Sequence, residues 1–138
     1  MNDLQRFLEA QEEDFSIALS EIKSGRKQSH WMWYIFPQIA GLGFSSTSRF
    51  YAIKDFAEAE EYLNHPILGE RLIKISEALL EIEGKTAHQI FGSPDDMKLK
   101  SSMTLFAELK ETNPVFQKVL DKYFDGETDE RTLQILGN

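Results

Sequence analysis

Apolar residues recur every three or four positions along most of this chain, the spacing that turns one face of a helix toward a core. Leu4, Phe7, Leu8, Phe15, Ala18, Leu19 and Ile22 form the first stripe. Asp3 is available as a cap and Gly25 as a stop, so the spacing predicts a helix over about 3–24, with Glu9, Glu12, Glu13, Asp14 and Glu21 on a solvated face. Asp55 is a good cap for a helix through Asn64 that buries Phe56, Ala59, Tyr62 and Leu63. After His65-Pro66, the residues Leu68, Leu72, Ile75, Leu79 and Ile82 make the clearest stripe, ending at Gly84. Thr86 caps a single turn through Ile90. Ser93-Pro94-Asp95-Asp96 supplies a cap, a helix-starting proline and two acids for a helix carrying Leu99, Ser102, Met103, Phe106 and Leu109. Asn113-Pro114 starts another, with Val115, Val119, Leu120, Tyr123 and Phe124 inward, and a last short helix brings Leu133 and Leu136 to Gly137.

One stretch resists this reading. Trp31 to Phe36 is wholly apolar, so periodicity fits a buried strand as well as a short helix, and its aromatic and β-branched content favours strand locally. The helical surroundings favour a helix over 30–36, capped by Ser29 and terminated by Pro37. Gly41 to Ser48 reads as a loop. Nothing alternates with period two, no repeat appears and no linker divides the chain. The expectation is one all-α, multihelical domain over residues 1–138, with about six to eight helices, some short.

Composition narrows the function. With no cysteine, disulfides, thiolate catalysis and thiolate-held metals are excluded. His30, His65 and His88 lie too far apart in sequence for a helical metal pair, so neither metal nor cofactor is expected. Met1 to Arg6 lacks the basic start and apolar stretch of a secretion signal, and no apolar run approaches the length needed to span a bilayer, so a cytoplasmic location away from membranes is expected. The net charge of -8 disfavours binding to duplex nucleic acid, which requires a basic footprint.

Charge patterning then singles out one region. From Arg26 to Lys54 there is no Asp or Glu, although the chain carries 23 acids against 15 Lys and Arg. The same run holds Arg26, Lys27, Arg49 and Lys54, with Trp31, Trp33, Tyr34, Phe36, Phe44, Phe50 and Tyr51 around Gly41-Leu42-Gly43 and the hydroxyls Ser45 to Ser48. Aromatic faces, glycines that permit close backbone approach and unpaired cations suit a small anionic or nucleotide-type ligand. A buried segment that avoids charge has the same composition. Gly41-Leu42-Gly43-Phe44-Ser45-Ser46 resembles the opening of a phosphate loop but lacks the third glycine and any βαβ setting. Amides near Ser46 or Thr47, helped by Arg49, are the weaker version of that site; a tight turn with Arg49 paired to a carboxylate is the alternative. If Trp31 and Trp33 share a helix they face different ways, so at most one lines a pocket while the other fills the core. Lys98, Ser101 and Ser102 share a helix face and can present a cation and two hydroxyls, or can serve as a close-packing seam.

Four strings resemble the bacterial family catalogued as domain of unknown function 1810: Ser29 to Gln38, Arg49 to Ile53, His65 to Leu72, and Phe91 to Leu99 followed by Ser101 to Phe106. The resemblance spans nearly the whole chain and implies a mainly helical fold, but it brings no established activity. Members often carry the automatic label calpastatin; calpastatin's inhibitory repeats are disordered and polar, whereas this chain has the periodicity of a packed domain. The family strings contain His30, Gln38, Arg49, Asp95, Lys98, Ser101 and Ser102, which core packing alone does not demand. The expected site therefore joins residues 29–51 to the helix after Pro94, with His30, Trp31, Trp33, Gln38, Gly41, Gly43, Ser46, Arg49, Tyr51, Lys98, Ser101 and Ser102 as ligand-binding candidates. An enzyme would use His30 as its acid or base. The alternatives are a protein-interaction module with Trp31, Trp33 and Phe44 exposed as a patch, and self-association as a homodimer.

Overall fold

The computed structural model describes residues 3–137, and among them nine helices and almost no strand. They are α1 (Gln5–Lys23), α2 (Met32–Ile35), α3 (Ser46–Phe50), α4 (Phe56–Asn64), α5 (Leu68–Glu81), α6 (Ala87–Phe91), α7 (Asp95–Ala107), α8 (Val115–Phe124) and α9 (Glu130–Leu136). Met1 and Asn2, part of the stretch read for a signal, lie outside the described residues.

The strongest stripe makes the central helix. On α5, Leu68, Leu72, Ile75 and Leu79 are fully or almost fully buried, and the helix packs against α1, α4 and α8. α7 lies beside it in the core, touching α8, α6, α9 and α4. A relay of rings crosses these layers. Phe7 of α1 meets Tyr62 of α4 edge-on at 5.0 Å, Tyr62 meets Phe106 of α7 at 5.5 Å, and Phe106 meets Phe116 of α8 at 5.7 Å. Such tilted and edge-to-face contacts add to the area each ring buries.

The caps at Asp55 and Thr86 form as expected. Asp55 Oδ1 accepts from the Glu58 amide, and Thr86 and Gln89 satisfy each other's amides in a capping box. Other starts differ because the capping side chains are engaged elsewhere or turned away. The Asp3 side chain does not cap α1, whose N-cap is Leu4. Pro94 occupies the N-cap of α7, after a cis Ser93–Pro94 bond, and no side chain caps there. The Ser29 hydroxyl does not cap α2; it donates to Glu21.

The stretch of mixed signals is helical: α2 is one turn, preceded by Trp31 and followed by Phe36 and Pro37. Within the stretch read as loop, Ser45 starts α3, its hydroxyl accepting from the Ser48 amide at 3.1 Å. Two members of the acidic face of α1 are not simply solvated. The chain reverses at Gly25, where φ is +84°, and returns across the end of α1. There Glu21 accepts from the Gln28 amide at 2.8 Å, the Ser29 amide at 3.0 Å, the Ser29 hydroxyl at 2.5 Å and Trp31 Nε1 at 2.9 Å. Asp14 accepts from the Tyr34 hydroxyl.

Candidate functional site

α2 and α3 face each other across a small cavity, and the backbone explains how they come together. Beyond Pro37 the chain runs alongside Ile53 in a single parallel bridge, with the Ile53 amide donating to Gln38 O and the Ala40 amide to Ile53 O, both at 2.8 Å. Arg6 then clasps the turn after α3. Its guanidinium donates to Phe50 O and Ala52 O at 2.8 Å and pairs with Glu58 at 3.0 Å. The Glu58 carboxylate also accepts from the Lys54 amide at 2.9 Å. Both partners of this pair are largely shielded from solvent, so the clasp holds residues 50–54 against α1.

The cavity has a volume of about 100 Å³. Trp33 and Tyr51 supply its aromatic walls, Gln38 and Ser48 its neutral polar groups, and Arg49 its cation. Tyr51 is held by rings on three sides: Tyr34 at 5.1 Å, Phe50 at 4.8 Å and Phe7 at 6.1 Å. Two glycines shape the loop between the walls. At Gly43 an added Cβ would fall 2.6 Å from Ser48 Cβ, so only glycine lets the loop close on α3. At Gly41, where φ is +106°, it would fall 3.2 Å from Ile135 of α9. Arg131, also of α9, reaches Gly41 O at 3.4 Å. Neither the Arg49 guanidinium nor the Gln38 side-chain amide has a hydrogen-bond or ion-pair partner among the described residues.

Six of the residues expected to bind ligand, Trp33, Gln38, Gly41, Gly43, Arg49 and Tyr51, thus lie in one cavity wall. Ser48, one of the four consecutive hydroxyl residues, joins them. The others are placed differently. Trp31 is a core side chain, 1% exposed, packed against Phe36 and Phe91, because its indole N–H is satisfied by Glu21. A partner-binding patch containing Trp31 is therefore not present. His30 is exposed and lies outside the cavity wall. Ser46 is the first residue of α3, and Ser45 occupies the cap that an anion would need. Ser101 is buried and bonded to Met97 O and Asp129 Oδ2. Ser102 is fully buried, and its hydroxyl has no hydrogen-bond partner among the described residues. Lys98 pairs with Asp95 at 3.4 Å rather than presenting its ammonium together with the two serine hydroxyls.

Lys98 nevertheless belongs near the site. Its ammonium stands 4.8 Å from the centre of the Trp33 ring, while Arg49 shares the cavity wall with the same indole. The neighbouring Lys27 does the equivalent for Trp31 at 5.0 Å and joins Asp95 at 2.9 Å. Lys27 lies in the acid-free run, but nothing in that run shows that its partner is 68 residues away.

Glu21 is the acid most clearly perturbed. Partial burial pushes its carboxyl upward, but the hydrogen bonds from Ser29, Gln28 and Trp31 outweigh that and hold it at about 2, against an ordinary 4.5. The effect fixes the turn that leads into α2 and Trp33. Larger depressions exist elsewhere, including one of about 510 Å³ beside Lys23 and Lys85 and one of about 680 Å³ beside His65 and Glu77. Both are open to solvent and mix acids with lysines. Among the described residues, no three His, Asp or Glu side chains come together to hold a metal ion, and no helix is long and apolar enough to cross a membrane.

The crystal structure of the conserved hypothetical protein Rv1873 from Mycobacterium tuberculosis is similar throughout. It is 43% identical, with a TM-score of 0.96, over 99% of this chain and 97% of that one. No match was found among curated proteins. The model of the family described as "Protein of unknown function (DUF1810)" matches residues 1–136, and the chain belongs to that family.

Proposed function

We propose that this protein binds a small anion in the cavity between α2 and α3, with Arg49 as its principal cation. The observation that carries the reading is an arginine without a partner among the described residues, in the wall of an aromatic cavity and inside a run of chain that contains no acid. An unpaired guanidinium there keeps its five donors free for a ligand and faces no competing carboxylate from its own segment.

Size limits the ligand. Sites that bury a drug-sized molecule measure roughly 300–1,000 Å³, so a cavity of about 100 Å³ takes a small ion or the anionic end of a larger molecule. A whole nucleotide does not fit inside. The chemistry also favours binding over catalysis. Cavity-lining titratable groups are Arg49 and Tyr51, and His30, the expected acid or base, lies outside the wall.

A thermal-shift series tests this with phosphate, sulfate, acetate, AMP and ADP-ribose on the wild type and on Arg49→Ala. A ligand at a hundred times its dissociation constant adds about 2.7 kcal/mol, or roughly 5–10 °C at this size. The expected result is a shift with at least one anion that disappears in folded Arg49→Ala. A shift that survives the substitution, or none with any anion, overturns the proposal.

A further inference from the structure

The charge count at the cavity says which anion. Among the described residues Arg49 is the single cation in the wall, and no carboxylate lines it. The Ser48 hydroxyl is already shared with Ser45 at 2.7 Å, and Lys98, which shares the Asp95 carboxylate with Lys27, stands outside the wall. Arg49 is itself exposed, so a dianion here would keep its second charge toward solvent with no partner in the wall, losing part of that charge's hydration without a pairing in return. A monoanion is matched one for one. A carboxylate also fits the donor geometry: the planar fork of Arg49 suits its two oxygens, and the Gln38 amide offers a further N–H.

The surroundings say what the carboxylate is attached to. Phe44, which directly follows Gly43, is 74% exposed, and Phe50, which directly follows Arg49, is 58% exposed. Ile135, the α9 side chain against Gly41, is also largely exposed. Three of the exposed large hydrophobics among the described residues therefore lie in or against the Gly41–Tyr51 segment, which supplies part of the cavity wall, where a polar rim would be the ordinary finish. We infer that the ligand is an organic monocarboxylate with an apolar body, its carboxylate held by Arg49 and Gln38 inside the cavity and its body lying over Phe44 and Phe50 outside. This rests on the anion-binding reading above and specifies the class of molecule.

The test is an NMR chemical-shift titration of the full chain with acetate, hexanoate, 3-phenylpropionate, inorganic phosphate and hexylamine, repeated on Arg49→Gln and on the double variant Phe44→Ser, Phe50→Ser. These side chains are exposed, so all three proteins should fold, and their spectra verify it. Hexanoate and 3-phenylpropionate should perturb Trp33 and Tyr51 and bind about tenfold more tightly than acetate, since part of the tail leaves water. Arg49→Gln should abolish carboxylate binding, and the double variant should bring hexanoate down to the affinity of acetate. Phosphate bound through Arg49 with no response to carboxylates overturns the carboxylate inference and leaves the anion site standing. Absence of binding by every anion overturns both. Hexanoate binding that persists in Arg49→Gln, or is matched by hexylamine, marks a general apolar surface and overturns the inference.

Discussion

Replacing Glu21 by Gln removes one charge and leaves the shape nearly unchanged, so it isolates what the carboxylate does for the turn between α1 and α2. The carboxylate accepts four hydrogen bonds, from two amides, a hydroxyl and an indole. An amide can accept only through one oxygen and turns its NH₂ group toward the remaining donors. A depression from 4.5 to about 2 corresponds to about 3 kcal/mol at 1.36 kcal/mol per unit. The group is partly solvated, and screening reduces that to about 1–2 kcal/mol. Because the folded-state value is the lower one, this stability is fully present above pH 4.5 and is lost as pH falls from about 4.5 toward about 2. Urea unfolding at steps between pH 7 and pH 2.5 measures it. Glu21→Gln should be about 1–2 kcal/mol less stable at pH 7, and the two proteins should converge at the acid end. Equal stability at pH 7, or a gap that stays constant to pH 2.5, would refute the assignment of this stability to the carboxylate.

Four further substitutions probe packing and the clasp behind the cavity. Gly69→Ala places a Cβ 1.9 Å from Leu63 O, a backbone atom, so unfolding should cost at least about 3 kcal/mol less; Gly84→Ala, with open space around it and φ of +74°, should lose only about 1 kcal/mol, and equal losses would contradict the steric account. Ser102→Ala removes a buried hydroxyl that has no hydrogen-bond partner, so melting should be unchanged or raised, by up to about 1 kcal/mol in stability; a clear destabilisation would show that the hydroxyl does have a role in the core. Arg6→Met leaves Glu58 shielded without its cation and should lower stability by about 3 kcal/mol, with added exchange of the amides of residues 50–54 in hydrogen-exchange measurements; an intact, fully protected turn would show that the clasp is dispensable.

The long helices were legible because each buries a single stripe, and α5, with its regular Leu and Ile positions, is the clearest case. α3 was not, because it spans five residues, buries none of them and hides its capping serine among four consecutive hydroxyl residues. At the site, clustering of Arg49, Trp33 and Tyr51 followed from the absence of acids in their segment. That one of Trp31 and Trp33 would face the core was readable from their spacing. Which one was not, because the choice is made by Glu21, ten residues earlier, when it takes the Trp31 indole N–H. Ser101 and Ser102 looked available because the apolar positions that announce the last helix, α9, do not say where it docks, and its capping residue Asp129 closes over Ser101.

The division of the two indoles has a practical consequence. Trp31 is sealed in the core and hydrogen-bonded, so its fluorescence should hold steady, while Trp33 stands in the cavity wall beneath the Lys98 ammonium. Emission that moves when the site fills can come only from Trp33, and in a Trp33→Phe variant the remaining signal should fall silent to ligand. The molecule thus carries a built-in optical gauge of occupancy beside a fixed internal standard, and no label has to be attached.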